Sequence, residues 1–211
     1  MTVDLVHVTP NAEELITKMA RVSAPENQSN METAPRLLRY LIKHQHWSPF
    51  EMANMCVEIQ TTRGISAQIL RHRSFSFQEF SQRYADVSAM GSAEIPQLRR
   101  QDYKNRQNSI DDLTPEDVGV YYRRISQLFE DAEHLYREMV SNGIAKECAR
   151  NVLPLSSRTR LFMNGTLRSW LHYISLREAH GTQLEHQVIA KEIKTIFTEQ
   201  FPIIAEAAFN S

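Results

Sequence analysis

Between Thr114 and Gly143 the chain carries a helix start, a long uninterrupted run and a helix stop, in that order. Thr114 can cap, Pro115 stands where a first-turn proline costs no hydrogen bond, and Asp117 follows at capping-box distance. The run "YYRRISQLFEDAEHLYREMV" contains no proline or glycine, and Asn142-Gly143 supplies the stop. A helix this long commits the fold. Its apolar stripe (Tyr121, Ile125, Leu128, Phe129, Leu135) must be covered by the rest of the chain or by another subunit.

The remaining segments supply that rest. "MTVDLVHVTP" alternates Val3, Leu5 and Val8 with polar residues, which predicts a first strand. A helix follows, with Asn11 as its cap and Glu14 as the capping-box partner. "ETAPRLLRYLIKHQ" predicts a second helix that tolerates Pro35 in its first turn. Met55, Val57 and Ile59 alternate with Cys56, Glu58 and Gln60, a strand pattern. A short helix is expected from Gly64 to His72, and edge strands around Pro96. "AKECARNVL" forms a short helix that must end before Pro154. Helices are also predicted in "GTLRSWLHYISLRE" and "TQLEHQVIAKEIKTIFTEQF". The sum is α+β: a mainly antiparallel sheet flanked by helices, with a long helical C-terminal half, in one domain over residues 1–211.

Composition removes several classes. Lys and Arg number 24 against 25 Asp and Glu, for a net charge of −1, so no surface built to track nucleic acid is expected. No stretch reads as a secretory leader or as the ~20 apolar residues of a membrane helix. The expectation is a cytoplasmic protein with no membrane and no nucleic-acid partner. Cys56 and Cys148 form no CxxC and read as buried free thiols. His44 and His46 form an HxH with no second ligand pair nearby, so no metal is expected. Met19, Met52, Met55 and Met139 read as core filler.

"RHRSFSFQEFSQRYA", from Arg71 to Ala85, is out of keeping with that balance. Arg71, His72, Arg73 and Arg83 share it with three phenylalanines and one Glu. If residues 64–72 are helical, Gln68 and Arg71 share a face, and a planar amide beside a planar guanidinium can read a base or grip a phosphate. Phe75, Phe77 and Phe80 offer apolar walls. Glu79 can orient an arginine or accept from a sugar hydroxyl. On the residues alone, a solvated basic loop with core phenylalanines is an equal alternative. The chain has no GxGxxG turn, so any phosphate it holds must meet side-chain cations.

Arg71-His72-Arg73, seven residues and Ser81, followed by Gln82-Arg83, resembles the signature of the flavin-dependent thymidylate synthases. "HWSPFE" (His46 to Glu51), "ECARNVLPLSSRTR" (Glu147 to Arg160) and "LRSWLHYISLREAHGTQLEHQ" (Leu167 to Gln187) resemble three further segments of that family, in its order. The resemblance implies reductive methylation of deoxyuridine monophosphate (dUMP). Methylenetetrahydrofolate would donate the carbon, and FAD reduced by NADPH would supply the hydride. It implies a homotetramer with shared active sites. It assigns Gln68, Arg71, Glu79, Phe80, Ser81, Gln82, Arg83, Arg150 and Arg177 to dUMP. Ser48, Arg71, His72, Arg73, Glu79, Thr166, Arg168 and His172 fall to FAD, and His46 to the folate or nicotinamide side. The family often has Asn where this chain has Thr166 and His172, and His180 stands one place early, with Gly181 in the matching slot. Arg177 would be the catalytic group. A guanidinium cannot act as a base near neutral pH, so its role is electrostatic, on the anion that develops in the pyrimidine. No cysteine nucleophile is expected. Two other functions fit the same residues: a nucleotide- and flavin-binding regulator without turnover, and a single-stranded nucleic-acid binder that stacks bases on the three phenylalanines.

Overall fold

The computed structural model describes residues 1–209. Its centre is a four-stranded antiparallel sheet of order β1-β2-β6-β3, built from β1 (Thr2–Val8), β2 (Asn54–Thr62), β3 (Ser76–Glu79) and β6 (Arg158–Thr166). β2 and β6 pair along their whole length, from Asn54 opposite Thr166 to Thr62 opposite Arg158. β1 adds to the outer edge of β2, with an irregularity between Leu5 and His7. The period-two pattern expected around Met55 is present: Met55, Val57 and Ile59 are fully buried. β6 was not expected from the sequence. There Thr159, Leu161 and Met163 face inward, while Arg158, Arg160 and Phe162 face out.

Helices cover the inner face. α1 (Ala12–Ala20) and α2 (Ala34–Lys43) follow β1, and α3 (Arg63–Ile69) links β2 to β3. α6 (Leu167–Arg177), α7 (Leu184–Gln200) and α8 (Pro202–Phe209) complete the layer, with α6 and α7 against the sheet. The core runs through Ile16, Leu38, Phe50, Leu161, Trp170, Tyr173, Ile193 and Phe197. The Trp170 indole donates to the Met55 carbonyl at 2.9 Å, so this large side chain is buried without a stranded donor. α8 was also not expected; Pro202 at its first position starts a new helix rather than ending the chain's helical part.

β4 (Arg100–Gln101) and β5 (Ser109–Ile110) form a separate two-stranded ribbon, so the edge strands expected around Pro96 lie further along and outside the main sheet. α4 (Pro115–Ser141) carries the expected capping box, with Thr114 and Asp117 each accepting from the other's main-chain N–H, and Gly143 takes φ 82° at the stop. Of its residues only Tyr136 is buried, in a second small cluster with Val87 and Ala149 of α5 (Lys146–Ala149). Tyr121, Leu128 and Leu135 are exposed while Ile125 and Phe129 are half-buried, so the stripe read from the sequence is only partly covered within the chain.

Four expectations are corrected. Asn11 adopts the left-handed conformation at φ 50°, which Asn tolerates, and makes no side-chain cap. Glu14 therefore has no capping-box partner. Cys148 is exposed, because α5 is a single turn on the surface; only Cys56 is buried. Met19 and Met52 are exposed, Met139 is half-buried, and of these four methionines Met55 alone is fully buried. α3 ends at Ile69, short of His72.

Candidate active site

β2 delivers the chain to α3 at Thr62, whose hydroxyl accepts from Ile65 N–H as the helix cap. After Ile69 the chain turns tightly: His72 N–H donates to the Ile69 carbonyl, and Phe75 N–H to the His72 carbonyl. Arg71, His72 and Arg73 therefore occupy a turn, not the helix and not extended chain. Arg71 N–H still reaches the Gln68 carbonyl at 3.4 Å, one turn on. Gln68 donates to Gln183 Oε1 at 2.7 Å, while Arg71 and Arg73 are exposed.

Phe75 anchors this turn. Its ring lies on the bare main chain of Gly165 in β6, where an added Cβ would fall 2.4 Å from a ring carbon. The same ring meets Trp170 at 4.7 Å between centroids. Phe77 packs half-buried against the same core, while Phe80 is half-buried outside it.

Behind the turn, Glu79 joins α3 to the sheet. Its carboxylate accepts from Ser66 at 2.6 Å and Thr159 at 3.0 Å, and pairs with Arg63 at 2.6 Å. Arg63 is the arginine it orients.

β6 leads directly into α6, which is capped by Thr166: its hydroxyl accepts from Ser169 N–H. Arg177, near the far end of α6, donates through Nε to His72 Nε2 at 2.8 Å. Because an arginine can only donate, this nitrogen of His72 must be the unprotonated one. Burial pushes the His72 pKa down to about 4, assisted by the charge of Arg177 and by His172. Arg71, Arg73, Arg150 and Arg177 have no carboxylate partner among the described residues.

A cleft of about 930 Å³ opens beside α6, a size that takes a cofactor. Thr166, Arg168 and His172 line it, with Ser74 from the turn and Trp47, Leu171 and Phe209 as apolar walls. Arg168 is paired with Glu51. Ser48 lies on the short helical turn Ser48–Glu51 at the cleft's edge, and His46 is exposed just before it, near His44 and Tyr40. A second opening, of about 620 Å³, is lined by Gln68, Gln183 and Glu185.

Ser81, Gln82, Arg83 and Arg150 stand outside both openings. Arg83 pairs with Glu147 at 3.2 Å. Gln82 is buried, and its Nε2 has no partner. Among the described residues no His, Cys, Asp and Glu cluster could hold a metal ion, and no helix is long and apolar enough to cross a membrane.

Two participants escaped sequence reasoning. Tyr173 and His186 are buried in contact with the His72–Arg177 pair. The only sequence signal was a histidine within the helical run of α7, at a position the period assigns to the core.

A family model described as "Thymidylate synthase complementing protein" matches residues 4–203. A probable flavin-dependent thymidylate synthase of Paramecium bursaria Chlorella virus 1 is 51% identical over 207 residues, spanning 98% of this chain and 95% of the relative. A flavin-dependent thymidylate synthase of Synechocystis is 49% identical over 195 residues, 92% of this chain and 88% of the relative. A crystal structure of the UMP/dUMP methylase PolB from Streptomyces cacaoi, bound with 5-Br dUMP, superimposes with a TM-score of 0.87 at 29% identity. It covers 98% of this chain and 93% of PolB.

Proposed function

The chain belongs to the thymidylate synthase complementing protein family, and from that premise we propose that it is a flavin-dependent thymidylate synthase. It methylates dUMP to dTMP, with methylenetetrahydrofolate as carbon donor and NADPH as reductant of FAD. The observation that carries this is the 2.8 Å bond between Arg177 and His72. It joins the Arg71–Arg73 turn to α6, and Ser74 next to that turn and His172 of α6 line the cofactor-sized cleft.

The cleft's donors fit FAD. Thr166, Arg168 and His172 line it, the N-terminus of α6 opens on it, and Arg71 and Arg73 lie beside Ser74 as unpaired cations for the pyrophosphate. Ser48 lies at the rim. Trp47 and Phe209 offer faces to ring systems. FAD, when bound, supplies the hydride that reduces the transferred carbon.

The residues of the chain do the rest. Arg177 keeps its Nη fork free, because Nε is engaged by His72, and that fork faces the pyrimidine edge to stabilise the anion that develops there. Gln68 flanks the same turn. Arg83 and Arg150, with Ser81 and Gln82, neutralise the phosphate of dUMP. Glu79 holds α3 and β3 in register rather than meeting ligand alone. His46, at the mouth, faces the folate or nicotinamide side. Cys56 is buried in β2 with its pKa raised by burial, a poor thiolate.

Among the described residues no hydrogen bond or ion pair joins Ser81, Gln82, Arg83 or Arg150 to His72 or Arg177. Copies of the chain in a homotetramer bring them together, each site drawing on more than one copy. The partly covered stripe of α4 supports that assembly. We read the chain as one functional domain acting in the cytoplasm.

The test uses the purified protein with dUMP, labelled methylenetetrahydrofolate and NADPH. Yellow protein that transfers label to C5 of the pyrimidine is the expected result. Yellow protein that oxidises NADPH yet never yields thymidylate would make it a regulator. Colourless protein with salt-sensitive oligonucleotide affinity would make it a nucleic-acid binder. The inward placement of Phe75 already removes one of the stacking platforms such a binder needs.

A further inference from the structure

His186 is fully buried in α7. Its Nε2 meets the Tyr173 hydroxyl at 2.9 Å, and its Nδ1 has no partner. A buried polar atom left without a partner gives up its hydration for nothing in return. Such an atom calls for an explanation other than stability.

The explanation lies two contacts away. The edge of the Tyr173 ring meets the His72 imidazole at 4.8 Å between centroids and 75° between planes. His186 itself stands 6.3 Å from His72, at 89°. His72 in turn accepts from Arg177 Nε. A free arginine side chain samples many rotamers. Tying down Nε leaves only the Nη fork to reach a ligand, in one orientation.

We propose that Tyr173 and His186 are positioning residues: they lock the His72 ring so that its lone pair holds Arg177 in the orientation that meets the pyrimidine. The device works only while both imidazoles are neutral. Burial secures this, with the His186 pKa pushed down to about 3, helped by the charges of Arg177 and His72. A protonated His72 would turn an N–H toward the guanidinium and lose the bond. This role rests on the thymidylate synthase activity proposed above.

The test compares the flavin-loaded enzyme with Tyr173→Phe, His186→Leu and His186→Gln. Tyr173→Phe removes one oxygen and keeps the ring. His186→Leu removes the polar partner at similar volume. His186→Gln restores a polar atom near the place of Nε2. Three quantities are measured: kcat and KM for dUMP, flavin content with the melting temperature, and the ultraviolet titration of N3 in bound dUMP without folate.

Tyr173→Phe and His186→Leu are expected to lower kcat by about tenfold to a hundredfold. KM should stay within about twofold, because the phosphate contacts that dominate ground-state binding are untouched. Flavin content should be retained, the N3 titration should move toward that of free dUMP, and His186→Gln should recover most of the loss. A role in packing alone would move the melting temperature and flavin content but leave the N3 titration in place. Folded, flavin-loaded Tyr173→Phe with wild-type kcat and wild-type N3 titration would overturn the proposal while leaving the activity standing. A wild-type enzyme that forms no thymidylate would overturn the activity, and this role with it.

Discussion

At the scale of single residues, the arginines matter by what they lack. Most ion pairs in this chain are exposed and weakly held, but Arg177 has a neutral imidazole where a carboxylate would be expected. Its charge is thus left for a ligand. Arg177→Lys is expected to lower kcat by about a hundredfold with little change in melting temperature, since Lys lacks the planar fork; steady-state kinetics and thermal melts check this. The two histidines also give a pH signature. Both have pKa values depressed from 6.5 in the folded state, His72 to about 4 and His186 to about 3. Their contribution is fully present above 6.5 and is lost as pH falls toward those folded values. Melting temperature should therefore begin to fall below pH 6.5, before the carboxylates titrate. His186→Leu should flatten the part of that slope due to its own titration. The arginines were legible in the sequence as motif positions. The pairing of His72 with Arg177 was not, because two cationic residue types distant in sequence give no sign that one is neutral and accepts from the other.

At the scale of elements, Gly165 decides how the motif turn meets the sheet. Phe75 lies on its main chain, and a methyl there would push the ring, and the turn with it, away from β6. Gly165→Ala is expected to cost about 1–3 kcal/mol and to reduce flavin retention, read by chemical denaturation and by the flavin absorbance of the purified protein. The long helix and the Met55–Ile59 strand were legible because their periods are long and clean. β6 was hidden. Its inward residues are Thr159, Leu161, Met163 and Gly165, but arginines at 158 and 160 and an outward Phe162 blur the alternation. The end of α3 was misjudged for a related reason. Nothing local stops the helix at Ile69; the packing of Phe75 on Gly165 turns the chain.

At the scale of the whole molecule, the proposed assembly is what brings the residues assigned to the phosphate to those assigned to the ring. Mixing offers a direct check. Arg150→Ala and Arg177→Ala, each inactive alone, should regain about a quarter of wild-type turnover when co-assembled at equal amounts. That is the share of sites that would draw both intact arginines at random. Leu128→Glu, on the partly exposed stripe of α4 and remote from the cleft, should reduce both oligomer size in sedimentation and turnover. In the sequence the proposed assembly rests on the family resemblance, and the apolar stripe of α4 is the feature of the chain itself that bears on it.

β6 lies between β2 and β3, the two strands joined by α3. Until residues 158–166 leave the ribosome, β3 has no neighbour and β2 shows a bare edge. The newborn first half of this polypeptide is thus sticky by construction, and its maturation must wait for a late segment to slot into a gap prepared long before.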